Sequence, residues 1–138
     1  MDIKFVANTR ESDRAANGTC LQGYLQMSYE ELKDIFGSPG EGDGYKTRAY
    51  WTLLFTGKKV DGSPVKLVAT IYDWKLSDEY NGEGNGTPLE DVTQWNVGGH
   101  TYNAYDITRT YIENWHQERV AQMAHAYDTF CVEAWDRV

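Results

Sequence analysis

Every glycine and proline in this chain lies before residue 100. Thirteen Gly and three Pro punctuate the first part, and none occurs from Thr101 to Val138. Both residues interrupt regular structure: Gly loses the most backbone freedom on ordering, and Pro lacks an N–H. The chain therefore divides into short elements joined by turns, followed by one uninterrupted helical segment. In that segment Ile107, Tyr111 and Trp115 recur every four residues. Val120, Met123, Tyr127, Phe130, Ala134 and Val138 follow at helical spacing. The spacing predicts one long helix, or two with a break near His116 to Arg119.

The punctuated part reads as strands and one helix. Residues 1–18 begin with apolar Ile3 to Ala7 and continue through polar Asn8 to Gly18 without any period. They read as an N-terminal arm, one short strand and then a flexible segment. Thr19 to Gln26 is a strand candidate. Ser28 stands three positions before Glu31, the capping-box pattern, and Tyr29, Leu32, Ile35 and Phe36 recur at helical spacing. Gly37 and Pro39 end that short helix. Lys46 to Thr56 is rich in β-branched and aromatic residues, Asp61-Gly62 is a hairpin cue, and Val65 to Lys75 is the partner strand. Alternation puts Val65, Leu67, Ala69, Ile71 and Asp73 on one face, and Lys66, Val68, Thr70, Tyr72 and Trp74 on the other. Leu76 to Asp91 reads as an acidic, Gly-rich loop and Val92 to Val97 as a last strand. The fold class is α+β, a small antiparallel β-sheet of three or four strands with a short N-terminal helix and a long helical C-terminal segment. Residues 19–138 form a single domain, with sheet and short helix in 19–100 and the helical segment in 101–138.

The 138 residues carry 21 Asp+Glu against 13 Lys+Arg, a net charge of −8. That balance argues against a nucleic-acid polymer as the main partner, which calls for a basic face. No apolar run approaches the roughly 18 residues that would span a bilayer, and no basic-then-apolar signal segment opens the sequence. Cys20 and Cys131 are too few for a disulfide framework, so a reducing compartment is the default.

Catalytic and metal motifs are missing from the sequence. The loops GEGDG at Gly40 to Gly44 and GEGNG at Gly82 to Gly86 lack the Gly-Lys-Ser/Thr that opens a phosphate loop, and their carboxylates would repel phosphate. Glu113 with His116, and His125 with Asp128, are half-sites without matching halves, so no metal or cofactor is expected. No Gly-x-Ser-x-Gly elbow occurs, and Cys131 reads as a small buried hydrophobe. No catalytic residue is therefore assigned.

Aromatic and cationic residues give the more informative pattern. Tyr72 and Trp74 share a strand face with Lys75 next in line, and Tyr45, Lys46 and Arg48 precede the hairpin. Trp95 and Asn96 lead into Gly98, Gly99 and His100. Aromatic faces stack on bases, Asn pairs with base edges, and Lys or Arg pairs with phosphate. The competing reading is that Trp51, Trp74 and Trp95 are core residues of a small sheet. The apolar residues of the C-terminal segment spread wider than one stripe, which points to a second copy of the chain as partner.

The ordered motifs SYEELKDIFGSP, GDGYKT, YWTLLF, VATIYDWK and WNVGG resemble the phage Thoeris anti-defence sponge family, the first type described. The resemblance covers about residues 24–100 and a helical C-terminus. It implies a non-enzymatic protein that binds a cyclic ADP-ribose isomer intact and so silences a bacterial alarm signal in the host cytoplasm. It also implies a homodimer or a hexamer, with ligand at the dimer interface and cyclic oligonucleotides at additional sites in some members. The departures are the arm at 1–18 and a longer hairpin turn at Gly57 to Pro64. Under this reading Trp74 or Trp95, with Tyr72, would stack on the base. Arg48, Lys75, Arg109 or Arg119 would hold the pyrophosphate. Asn96, His100 and Asn103 would bond ribose or base. Two other classes compete. One is a nucleotide-cleaving enzyme with His100, His116 or His125 as general base. The other is an acidic inhibitor that binds a host defence protein through its charge.

Overall fold

The structure, a computed structural model, describes residues 3–136, and side-chain surroundings through residue 127. In chain order the elements are β1 (Lys4–Ala7), α1 (Arg10–Ala15), β2 (Cys20–Gln26), α2 (Tyr29–Phe36), β3 (Gly40–Glu41) and β4 (Ala49–Lys58). β5 (Pro64–Tyr72), α3 (Asp78–Asn81), a 3-10 turn at Leu89–Asp91, β6 (Gln94–Gly99) and α4 (Asn103–Asp136) follow. The strands form one antiparallel sheet in the order β1-β4-β5-β6-β2, with the two-residue β3 also on β4. The architecture is α+β as expected. The sheet has six strands rather than three or four, because two short ones share an edge of β4.

The hairpin of β4 and β5 is the spine of the sheet. Its register runs from Tyr50↔Tyr72 to Lys58↔Pro64. Gly62 at φ 86 and the Asp61 carboxylate, which accepts the Ser63 N–H at 2.9 Å, close the turn. Alternation then sorts the side chains. Trp51, Leu53, Phe55, Ala69, Ile71, Trp95, Val97 and Leu25 face the helices and are buried. Leu32, Ile35 and Phe36 of α2, with Ala104 and Ile112 of α4, close the core from the other side. Each large side chain buried this way contributes roughly 1.5–3 kcal/mol. The two indoles also find acceptors: Trp51 donates to the Gly37 carbonyl at 2.8 Å and Trp95 to the Met27 carbonyl at 3.0 Å.

In residues 1–18 the expected short strand forms, as β1. β1 pairs with β4 from Lys4↔Thr56 to Ala7↔Leu53, and the expected flexible segment is helix α1. Thr9 caps it in a box closed by Ser12 rather than by Glu or Gln. Ser12 is fully buried with its hydroxyl 3.3 Å from that of Thr52, and Thr52 also donates to the Asp13 carboxylate. α1 thus pins itself to the sheet face that α2 and α4 leave open. α2 begins where its capping box predicts, with Ser28 and Glu31 satisfying each other's backbone N–H groups.

α4 is one helix of 34 residues, about 50 Å long, with no break at 116–119. Without Gly or Pro nothing interrupts its hydrogen-bond ladder. Its first part packs on the sheet as far as Trp115, whereas residues 117–127 are all exposed. Among the described residues no helix is long and apolar enough to cross a membrane.

Candidate functional site

The open face of the sheet carries a row in cross-strand register: Tyr50, Tyr72, Asn96 and Tyr24, from β4 to β5 to β6 to β2. Tyr24 is 48% exposed at the sheet edge, and the other three are half-buried. Trp74 continues the Tyr72 face beyond the end of β5. It is 41% exposed, with its ring edge-on to Tyr72 at 6.0 Å. Gly98 beside the row is bare by necessity. A Cβ there would meet Thr70 Oγ1 at 2.4 Å and Tyr72 Cε1 at 3.6 Å.

Two ammonium groups lie near the Trp74 ring. Lys46 Nζ lies 5.8 Å and Lys75 Nζ 5.5 Å from its ring centroid, and Lys75 Nζ is also 5.6 Å from the Tyr80 ring. These distances are within cation–π reach. The backbone of Lys75 stands in the left-handed region at φ 59, which Gly or Asn adopts far more readily than Lys. It is fixed there from both sides. Its N–H donates to the Lys46 carbonyl at 2.8 Å, and its carbonyl accepts from the Asn81 amide at 2.9 Å.

Two carboxylates shape the loop that presents Lys46. Asp43 Oδ1 accepts the N–H groups of Tyr45, Lys46 and Thr47 at 2.9, 3.0 and 3.1 Å. The Thr47 and Tyr45 N–H bonds are foremost in holding its carboxyl below the usual range, with Lys46 adding to the effect. Asp73, fully buried, accepts the N–H groups of Arg48 and Ala49 at 2.8 and 2.9 Å and Arg48 Nε at 2.9 Å. Arg48 is therefore spent on a structural ion pair, with its Nη2 buried and without a partner.

The ten residues singled out from the sequence fall into separate places. Tyr72, Trp74, Lys75 and Asn96 come together on the open face, and Arg48 is paired with Asp73, which stands between Tyr72 and Trp74 in sequence. Trp95 does not join them. It is fully buried on the opposite face, stacked on Tyr29 at 5.9 Å and edge-on to Trp51 at 5.6 Å, so neither ring face is free for a base. His100 is beyond the far end of β6, where Nε2 meets the Ala15 carbonyl at 2.8 Å. Asn103 lines a cleft between α4 and the hairpin. Arg109 faces Glu113 at 3.9 Å and the Tyr105 ring at 5.5 Å, and Arg119 faces Asp34 at 3.9 Å and the Trp115 ring at 5.1 Å. Both cations belong to the surface where α4 runs along α2 and β2.

Sequence reasoning missed Tyr24, Tyr50 and Tyr80. Tyr50 was accessible through the alternation of β4, since it is out of phase with the buried Trp51. Tyr24 and Tyr80 join through register and loop closure, which local sequence does not encode. Glu113 and His116 make separate ion-pair contacts, with Arg109 at 3.9 Å and Glu31 at 4.0 Å. Among the described residues no group of three His, Cys, Asp or Glu side chains would hold a metal ion. Cys20 is exposed and free, and the side chains of Cys131 and Asp128 are outside the described residues.

Comparison with protein-family models, curated proteins and solved structures gives no match to this chain. The cluster would offer a planar ring aromatic faces to lie on and an anion two lysines beside it. The adjoining carboxylates, Asp43 and Asp73, are committed to backbone N–H groups.

Proposed function

We propose that this chain binds a nucleotide-type small molecule on the open sheet face and sequesters it without turnover. The observation that carries the reading is exposed Trp74 beside Tyr72 at the end of the tyrosine row, with the Lys46 and Lys75 ammonium groups 5.8 and 5.5 Å from its ring centre. A base would stack on Trp74 or on the row, Asn96 would meet its edge, and the two ammonium groups would take the phosphates. Stacking contributes about 1–3 kcal/mol per base, and hydrogen bonds to charged groups about 1.5–3 kcal/mol each. Several of these together would exceed the roughly 8 kcal/mol beyond which binding is submicromolar.

The motif resemblance narrows the ligand to a cyclic ADP-ribose isomer and the role to phage anti-defence in the host cytoplasm. A homodimer fits the reading as well, with cyclic oligonucleotides as further ligands if the assembly is a hexamer. Val120, Met123 and Tyr127 are 65%, 65% and 68% exposed on the part of α4 that overhangs the domain. Their spacing of three and four residues is that of a helix-pairing seam. Calorimetric titration with cyclic ADP-ribose isomers tests the site. Saturable binding lost in Trp74→Ala supports it, and unchanged binding in that variant rejects it.

A further inference from the structure

We infer a second ligand site, in the cleft between the β4–β5 hairpin and the first turns of α4, that takes a small aliphatic carboxylate. This cleft is on the helix side of the sheet, so the inference stands apart from the nucleotide reading. Its origin is in the strand alternation. Phe55 pairs with Leu67, and Gly57 pairs with Val65, on the face that α4 covers. Gly57 places no side chain where the pattern calls for a core residue. A cleft of about 580 Å³ is left between hairpin and helix. That volume is within the range of small-molecule sites, about 300–1,000 Å³.

The lining sets the ligand class. The apolar part is Ile3, Phe55, Val65, Leu67 and Ile107, mostly branched aliphatic, which favours an alkyl body over a strongly hydrated ligand such as a sugar phosphate. On the hairpin wall Lys58 and Lys59 are exposed, and neither has an ion-pair partner among the described residues. On the helix wall Asn103, Thr110 and Asn114 offer neutral hydrogen-bonding groups on one helix face. Asp106 on that wall is the only carboxylate in the lining. It repels an anionic head and so directs it to the lysines, while the alkyl body lies over Leu67 and Ile107. Lysine stems bury readily along such a body with their ammonium groups at the rim.

Methyl NMR on the full chain, titrated with octanoate, tests the site. Saturable shifts of the Leu67 and Ile107 methyl groups are expected, with octylammonium at least tenfold weaker. Charge reversal in Lys58→Glu/Lys59→Glu should weaken octanoate at least tenfold. Thr110→Trp, at an exposed helix position, should fill the cleft and abolish the shifts with an unchanged circular dichroism spectrum. Absence of methyl shifts, octylammonium binding as tight as octanoate, or full binding by the charge-reversed variant would each overturn the proposal.

Discussion

The Lys75 ammonium group stands 5.5 Å from the centre of the Trp74 ring, delivered there by a backbone held at φ 59. A non-glycine residue in that region costs roughly 1–2 kcal/mol, and Asn bears the conformation better. Lysine at this position is a poor choice for stability alone. Lys75→Asn should leave the urea midpoint unchanged or raised, while weakening nucleotide binding at least tenfold. Parallel denaturation and calorimetry on the one variant check both halves.

Trp74 and Trp95 should respond in opposite ways to truncation. Trp95 is fully buried between Tyr29 and Trp51, so Trp95→Ala should cost about 3–5 kcal/mol. Trp74 is 41% exposed at a strand end, so Trp74→Ala should change stability by no more than about 1 kcal/mol yet abolish binding. Denaturant unfolding followed by far-UV circular dichroism separates the two.

The contrast between these tryptophans shows what the sequence held. α2 was legible to the residue because its signals are local: Ser28, Glu31, Gly37 and a short apolar period. The α+β class followed from the alternation of β5 and the unbroken run after Thr101. Trp95 and Trp74 look alike in sequence, since which face of a strand is covered depends on helices far along the chain. Alternation had the phase to separate Trp95 from Asn96, but not the covered side. α1 escaped notice because its box closes with Ser12 and it spans only six residues. The row from Tyr50 to Tyr24 exists only through the register of four strands. Arg109 and Arg119 were candidates by charge alone, and their neighbours Glu113 and Asp34 give them a surface role.

Acid should loosen the loop that presents Lys46. The Asp43 carboxyl titrates below its ordinary 3.8 because backbone N–H groups, those of Thr47 and Tyr45 foremost, bond its ionised form. A depressed folded value favours the folded loop above pH 3.8, and this contribution is lost as pH falls through the lowered value. The Tyr45, Lys46 and Thr47 amide resonances should therefore move together on acidification in that range. Asp43→Asn should remove the transition.

The overhanging part of α4 should carry self-association. Beyond Trp115 no described residue of α4 is packed on the core, and Val120, Met123 and Tyr127 there form an exposed apolar seam that a second helix would cover. Sedimentation equilibrium should give twice the chain mass of 15.8 kDa, or six times that mass for a hexamer. Val120→Glu/Met123→Glu should reduce it to the single-chain value without loss of the sheet's circular dichroism signal.

The most direct test of sequestration is recovery of the ligand. The protein is saturated with a cyclic ADP-ribose isomer, freed of unbound ligand, incubated and heat-denatured, and the released compound is identified by mass spectrometry. Intact ligand in stoichiometric yield is expected from the native chain, and none from Trp74→Ala. A hydrolysed product, or no retained ligand from the native chain, would contradict sequestration.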